Sequence, residues 1–166
     1  DDVRRQVGYL SQDSRLFFGT LRQNLMLGHP HATEAELIQA LRISGAITMV
    51  QQDAASLDRL INEGGRGLSG GQRQMVLLSR LIVRNPQIVL LDEPTASMDE
   101  QLEAWVIRQL QQWLTGRTLI LVTHRPALLN LVDRIVVMEN GKIIADGPRD
   151  SLLKQAQNNS NVASIA

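Results

Sequence analysis

The sequence predicts an α/β fold, a mainly parallel sheet flanked by helices, with a helical section ahead of it. Three observations carry this prediction. The runs "IVLLD" (Ile88 to Asp92), "TLILVTH" (Thr118 to His124) and "RIVVM" (Arg134 to Met138) are short and apolar without alternation. Such runs suit parallel strands covered on both faces. Helical segments separate them, the clearest being "DEQLEAWVIRQLQQWL", with Leu102, Trp105, Val106 and Leu110 as its apolar stripe. Finally, the glycine-crowded "EGGRGLSGGQRQ" (Glu63 to Gln74) runs straight into "MVLLSRLIV", apolar nearly all round, as a helix buried on most sides should be.

Taken in order, "VRRQVGYLSQD" reads as a short strand ending in a polar loop, and "GTLRQNLMLG" has helical spacing. "ATEAELIQALRISG" reads as an amphipathic helix with Leu37, Ile38 and Leu41 on one face, Thr33 as its N-cap and Gly45 as its stop. Between that first strand and about residue 62 no further strand is expected. "VVMENGKIIADG" reads as a hairpin turning at Asn140-Gly141, and "SLLKQAQ" as a last helix before a polar tail, residues 158–166, expected to fray.

Composition narrows the function. The 166 residues fit one domain with a sizeable core. A net charge of zero gives no basic footprint for nucleic acid, which is not expected as a partner. Without cysteine there is no disulfide framework and no thiolate metal site. No apolar run approaches the roughly 18 to 20 residues that a membrane span needs, so any tie to a membrane runs through a partner or through further chain.

Ligands of open parallel sheets bind beyond the carboxyl ends of the strands. Two of the apolar runs end there in reactive groups, Asp92-Glu93 and Thr123-His124. Four apolar residues followed by Asp is how nucleotide hydrolases present a carboxylate to Mg²⁺, and a Glu immediately after it can polarise water. The rival reading, a strand ending at a capped turn with solvated acids, is about as good for "IVLLDE" taken alone. Pro94 and Asp99, which stands where the next helix needs a cap, favour the site. A lone His124 is more often structural than catalytic; at a strand end beside phosphate it would donate a hydrogen bond. Gln12 could offer Mg²⁺ an amide oxygen, although a loop glutamine is usually only polar. "LSGGQ" could be a flexible linker, but Ser69 can cap the following helix and the glycines permit close approach to an anion.

Together these stretches resemble the nucleotide-binding domain of ABC transporters. "LSGGQRQ" looks like the family signature, "IVLLDE" its Walker B strand with the catalytic Glu, "SMD" its D-loop, "LVTH" its switch-histidine loop and "GYLSQD" its Q-loop. All occur in the family's order, and the likeness runs from Val3 to about Leu153. "LFFGTLRQNL" and "NEGGRG" resemble the exporter branch, and the chain looks most like the ATPases of type I secretion exporters, which move RTX toxins, adhesins or related polypeptides. The resemblance implies a truncated P-loop NTPase fold in one partial domain. Its helical signature subdomain would span about 13–70, its RecA-like core portion 71–157, and its tail 158–166.

It also implies roles. Glu93 is the base for water and His124 holds the terminal phosphate. Asp92 and Gln12 serve Mg²⁺. Ser69, Gly70, Gly71 and Gln72 meet the ATP held by a second copy, and Asp99 couples the two sites. Glu63, Phe17 and Phe18 face the transmembrane domain of the same exporter. Implied partners are a second copy in a homodimer and, in secretion systems, a periplasmic adaptor and an outer-membrane channel, with the parent protein at the cytoplasmic face of the bacterial inner membrane.

The departures are as informative. Nothing in the chain fits the Gly-rich Lys-Ser/Thr loop of Walker A, since Gly141-Lys142 is followed by Ile143. Met98 stands where a smaller D-loop residue is common. The chain therefore looks like the carboxyl-terminal portion of a larger transporter polypeptide. Alone it is expected to bind ATP negligibly, and the loss of the Walker A strand should expose an apolar edge that favours oligomers. The alternatives are an exporter of lipid, peptide or drug, a non-transport ATPase of the chromosome-maintenance type, and a non-catalytic docking fragment using Leu16 to Leu25. Too short a stretch between Gln12 and Ser69, without heptads, disfavours the chromosome type.

Overall fold

The structure, a computed structural model, describes residues 6–51 and 56–163, with 157–163 described by backbone alone. The first residues of the expected opening strand, Val3 to Arg5, lie outside the described residues. The chain forms two compact units, Asp1–His124 and Arg125–Ala166. Both the expected helical subdomain and most of the expected core portion fall within the first.

That unit is built on a parallel three-stranded sheet in the order β1 (Val7–Leu10), β4 (Ile88–Asp92), β5 (Thr118–Val122). Leu10 pairs with Leu91, and Asp92 with Val122, so the three carboxyl ends lie at one edge. The sheet is less covered than the apolar runs suggest. Val89 and Leu91 of the central strand are buried, whereas Ile120 and Val122 of β5 are 53% and 61% exposed. Among the described residues no strand pairs with the second edge of β5, and side chains there lack the neighbours that full burial requires.

The long helix α4 (Gly70–Arg84) packs against β1 and forms the centre of the unit. Met75 to Ser79 and Leu81 to Val83 are all buried, in keeping with its apolar sequence. Each fully buried aliphatic side chain here contributes roughly 1.5–3 kcal/mol. Two helices of the preceding helical section, α1 (Leu21–Met26) and α2 (Glu34–Ser44), pack on it. A buried polar pair in the α2–α4 seam is satisfied internally: the hydroxyls of Ser44 and Ser79 lie 2.6 Å apart, and Ser79 also donates to the Met75 carbonyl at 2.8 Å. The helix α5 (Glu100–Trp113) buries Val106 and Leu110 as expected. Ile107 and Glu103 join them, while Leu102 and Trp105 are only half-buried.

Three caps are where residue chemistry places them. Thr33 and Gly45 bound α2, Gly45 in a left-handed conformation at φ 85°, and Ser69 caps α4. A short helix α3 (Ile47–Gln51) follows α2. The expectation of no further strand between β1 and residue 62 does not hold. β2 (Gly19–Thr20) pairs antiparallel with β3 (Leu60–Ile61). A ladder of two residues a side is too short to carry an alternation signal.

In the second unit β6 (Arg134–Glu139) pairs with β7 (Lys142–Pro148), and α6 (Arg149–Ala163) follows. The expectation that "RIVVM" lies in a parallel sheet is therefore corrected: β6 is antiparallel to β7. The reason is the turn itself. Asn140 and Gly141 have φ of 48° and 73°, the left-handed pair that reverses a chain in two residues, whereas parallel neighbours need a long crossover. Arg134 clasps Asp146 across the ladder through two bonds of 2.7 and 2.6 Å. The last helix also runs past Gln157, where the tail was expected to begin, because extending an established helix costs little per residue.

Candidate functional site

The site begins where β4 ends. Asp92 is the last residue of that strand, and Glu93 turns away from it with φ 48°, rare for a residue other than glycine. Its N–H donates to the Val122 carbonyl at 3.0 Å, which keeps the turn against the end of β5. The Glu93 side chain is thereby brought under the residues following β5. Its Oε1 accepts the His124 N–H at 2.7 Å and faces the ring Nδ1 of His124 at 2.7 Å; its Oε2 accepts the Thr123 hydroxyl at 3.1 Å. The carboxylate is 7% exposed and the imidazole 82%. An acid is thus held in a fixed orientation at the rim of the sheet, and a histidine beside it stays open to solvent.

Gln12 stands in a turn just past β1, bounded by the Ser14 N–H donating to the Ser11 carbonyl at 3.1 Å. Parallel register sets this turn at the same sheet edge as Asp92 and Thr123-His124. An amide oxygen and one carboxylate suit Mg²⁺, which keeps most of its shell as water and phosphate oxygen. Among the described residues no group of three or more acidic or imidazole side chains is arranged to hold a metal ion.

At the signature, Ser69 and Gln72 form a reciprocal capping box. The Gln72 N–H donates to Ser69 Oγ at 3.1 Å, and Ser69 N–H donates to Gln72 Oε1 at 2.9 Å. Sequence reasoning assigned the cap to Ser69 and missed the return bond, although Ser-x-x-Gln is a legible signal for it. Gly70 and Gly71 serve a second purpose. A Cβ at Gly70 would lie 3.0 Å from Ser97 Cβ, and one at Gly71 would lie 3.0 Å from the Ser97 carbonyl oxygen. The first turn of α4 therefore sits directly on the loop 93–99. Gln74 adds a long bond, 3.4 Å, from its amide to the Glu93 carbonyl. That loop ends in Asp99, whose carboxylate caps α5 by accepting the Leu102 N–H at 2.9 Å. Thr95, fully buried, donates to the carboxylate of Glu103, a contact not anticipated from sequence because a helical Glu reads as solvated.

A second cluster joins the three residues expected at a partner surface. Phe17 and Phe18 are 52% and 69% exposed. Glu63 Oε2 accepts the Phe18 N–H at 3.0 Å, and the Gly64 N–H donates to the Leu16 carbonyl at 3.0 Å. Two aromatic faces are thus presented to solvent on a backbone pinned from behind. No described helix is long and apolar enough to cross a membrane.

Comparison with known proteins accords with this arrangement. The family described as "ABC transporter" matches residues 1–96. The leukotoxin translocation ATP-binding protein LktB of Pasteurella haemolytica-like sp. (strain 5943B) is 36% identical over 162 residues, which is 98% of this chain and 22% of that protein. The cyclolysin secretion/processing ATP-binding protein CyaB of Bordetella pertussis is 37% identical over 151 residues, 91% of this chain and 21% of its own. Among solved structures, a bacterial Atm1-family ABC exporter with ATP bound superposes with a TM-score of 0.85 at 30% identity, over 92% of this chain and 27% of that one. The chain spans about a fifth of the length of the curated relatives it matches. Strand-end acid, capped glycine turn and family match agree: this chain belongs to the ABC transporter family.

Proposed function

We propose that this chain is part of the ATP-hydrolysing engine of an ABC exporter, working with a transmembrane domain at the cytoplasmic face of a bacterial inner membrane. The observation that carries this is the Glu93 carboxylate, held at the carboxyl end of a parallel sheet with Asp92 before it and His124 against it. When bound, MgATP supplies the phosphoanhydride bond and the divalent charge that offsets the phosphates. Asp92 and Gln12 hold that cation through oxygen. Glu93 Oε1 is committed to His124, while Oε2 accepts one hydroxyl and retains a lone pair that can take a proton from water. With Nδ1 of His124 turned to Glu93, Nε2 is left to donate to a phosphate oxygen when the ring is protonated.

Ser69, Gly70, Gly71 and Gln72 would meet the nucleotide of a second copy through the amides of the first helical turn, where the helix dipole favours an anion. Asp99 couples the two halves, and Phe17, Phe18 and Glu63 receive the transmembrane domain. Within these 166 residues nothing supplies a Gly-rich Lys-Ser/Thr loop, so a polypeptide of this chain alone is proposed to bind ATP negligibly and to hydrolyse none. Micromolar MgATP affinity in calorimetry would refute that.

The proposed cargo is a toxin or adhesin polypeptide moved by type I secretion, with a periplasmic adaptor and an outer-membrane channel. The likeness to toxin-translocating relatives supports it. Expression of the full-length exporter with those accessory proteins and an RTX polypeptide tests it: the polypeptide should reach the medium, and its retention in cells would refute the reading. The ATPase itself is tested by Glu93→Gln in the full-length exporter. Hydrolysis should fall at least about 100-fold, the usual scale for losing a general base, and an unchanged rate would refute the assignment.

A further inference from the structure

Arg80 interrupts the apolar run of α4, at a place where an aliphatic residue would simply extend the core. Instead a half-buried guanidinium uses three directions at once. Nε donates to the Asn24 carbonyl at 3.0 Å, Nη2 to Asn24 Oδ1 at 2.9 Å, and Nη1 to the Arg15 carbonyl at 2.9 Å. The same group lies over the Phe17 ring, 5.5 Å from its centroid. All three acceptors are uncharged oxygens, and burial lowers the pKa of the group from its ordinary value. Desolvating an arginine with no acid among these acceptors makes sense only if the fork's geometry is what is needed.

What the fork holds is the segment behind the exposed aromatics. Asn24, 2% exposed, brackets Phe17: its Oδ1 accepts the Phe17 N–H at 3.0 Å and its Nδ2 donates to the Phe17 carbonyl at 2.9 Å. Arg80 therefore grips residue 15 directly and residue 17 through Asn24. Behind α1 the two backbones also touch, since a Cβ at Gly28 would come within 2.3 Å of the Arg80 carbonyl oxygen. Ser69 and Arg80 belong to one uninterrupted helix and its cap, a rod of about 16 Å at 1.5 Å per residue.

We infer that Arg80 is a positioning residue that couples the aromatic surface at residues 15–18 to the phosphate-facing first turn of α4, so that a change at one end is carried to the other. This rests on the reading of that turn as an ATP contact and of the aromatics as the partner surface. A merely structural arginine would lower stability and weaken both ends alike; a coupling arginine disconnects them.

Hydrogen exchange of the full-length exporter, with and without MgATP and orthovanadate, separates the two. In the unaltered protein the trapped nucleotide should slow exchange in residues 69–74 and in residues 15–18 together. Arg80→Met should keep the slowing at 69–74 within about twofold while losing at least about fivefold of it at 15–18. Arg80→Lys keeps charge and length without the fork, so it should behave like Arg80→Met and carries the test should the methionine variant not fold. Slowing retained at both ends in either folded variant, or lost at both, overturns the inference. No slowing at 69–74 in the unaltered protein instead overturns the ATP reading, and the coupling falls with it.

Discussion

Glu93 shows how much one residue's backbone can decide. Its left-handed φ of 48° carries a cost of about 1–2 kcal/mol for an L-residue, and that turn places the carboxylate under Thr123 and His124 rather than along β4. In the Glu93→Gln variant the amide oxygen can still accept the His124 N–H, so the fold should survive while the base is lost. A melting midpoint close to that of the unaltered protein, alongside the lost hydrolysis, is the expected pair of results. Asp92, Glu93 and His124 were legible in the sequence because a short apolar run announces its own end, and ligands gather there. Arg80 and Glu103 were not. Each is a charged residue on a helix, which reads as solvated or as a break, and only the packed structure shows the oxygen or hydroxyl waiting for it.

Helix caps are the elements where local chemistry was sufficient. Ser69, Thr33 and Gly45 act through bonds spanning a few residues, so sequence and structure agree on them. Ser69→Ala should cost about 1 kcal/mol of stability by releasing the Gln72 N–H, measurable as a lower denaturation midpoint. At the capping box of α2, the Thr33 N–H and hydroxyl both bond the Glu36 carboxylate, which lowers its pKa from the ordinary glutamate value. A carboxylate depressed in the folded state contributes stability above its unfolded pKa and loses it as pH falls through the folded value. Thr33→Ala should therefore flatten the acid limb of the stability profile, and a profile unchanged on that side would count against the box. Long-range pairing was the harder part. Nothing local in "GT" or "LI" says that β2 meets β3, and the apolar content of β6 could not tell parallel from antiparallel until the Asn140-Gly141 turn was weighed above it.

At the scale of the molecule, the α/β class and the three-strand register follow from runs that the sequence displays, but the division at His124 does not. The helix α4 begins at the boundary expected near residue 70 and packs on α1, α2 and β1 alike. The exposed side of β5 has its own consequence. Ile120 and Val122 stand open beside a strand edge that no described strand pairs, and such edges invite association. A polypeptide of these 166 residues should show a mass in light scattering that rises with concentration, and Ile120→Lys should suppress the rise. A constant monomer mass for the unaltered chain would contradict this. The contact between the glycine turn and Ser97 bears on descent as well as on packing. A Cβ at position 70 would press on Ser97 until that neighbour gave by a few tenths of an ångström, so what position 70 accepts depends on the residue at 97. Alanine at 70 is expected to be better tolerated with glycine at 97, while a side chain at 71 would press on a backbone oxygen that every residue at 97 carries.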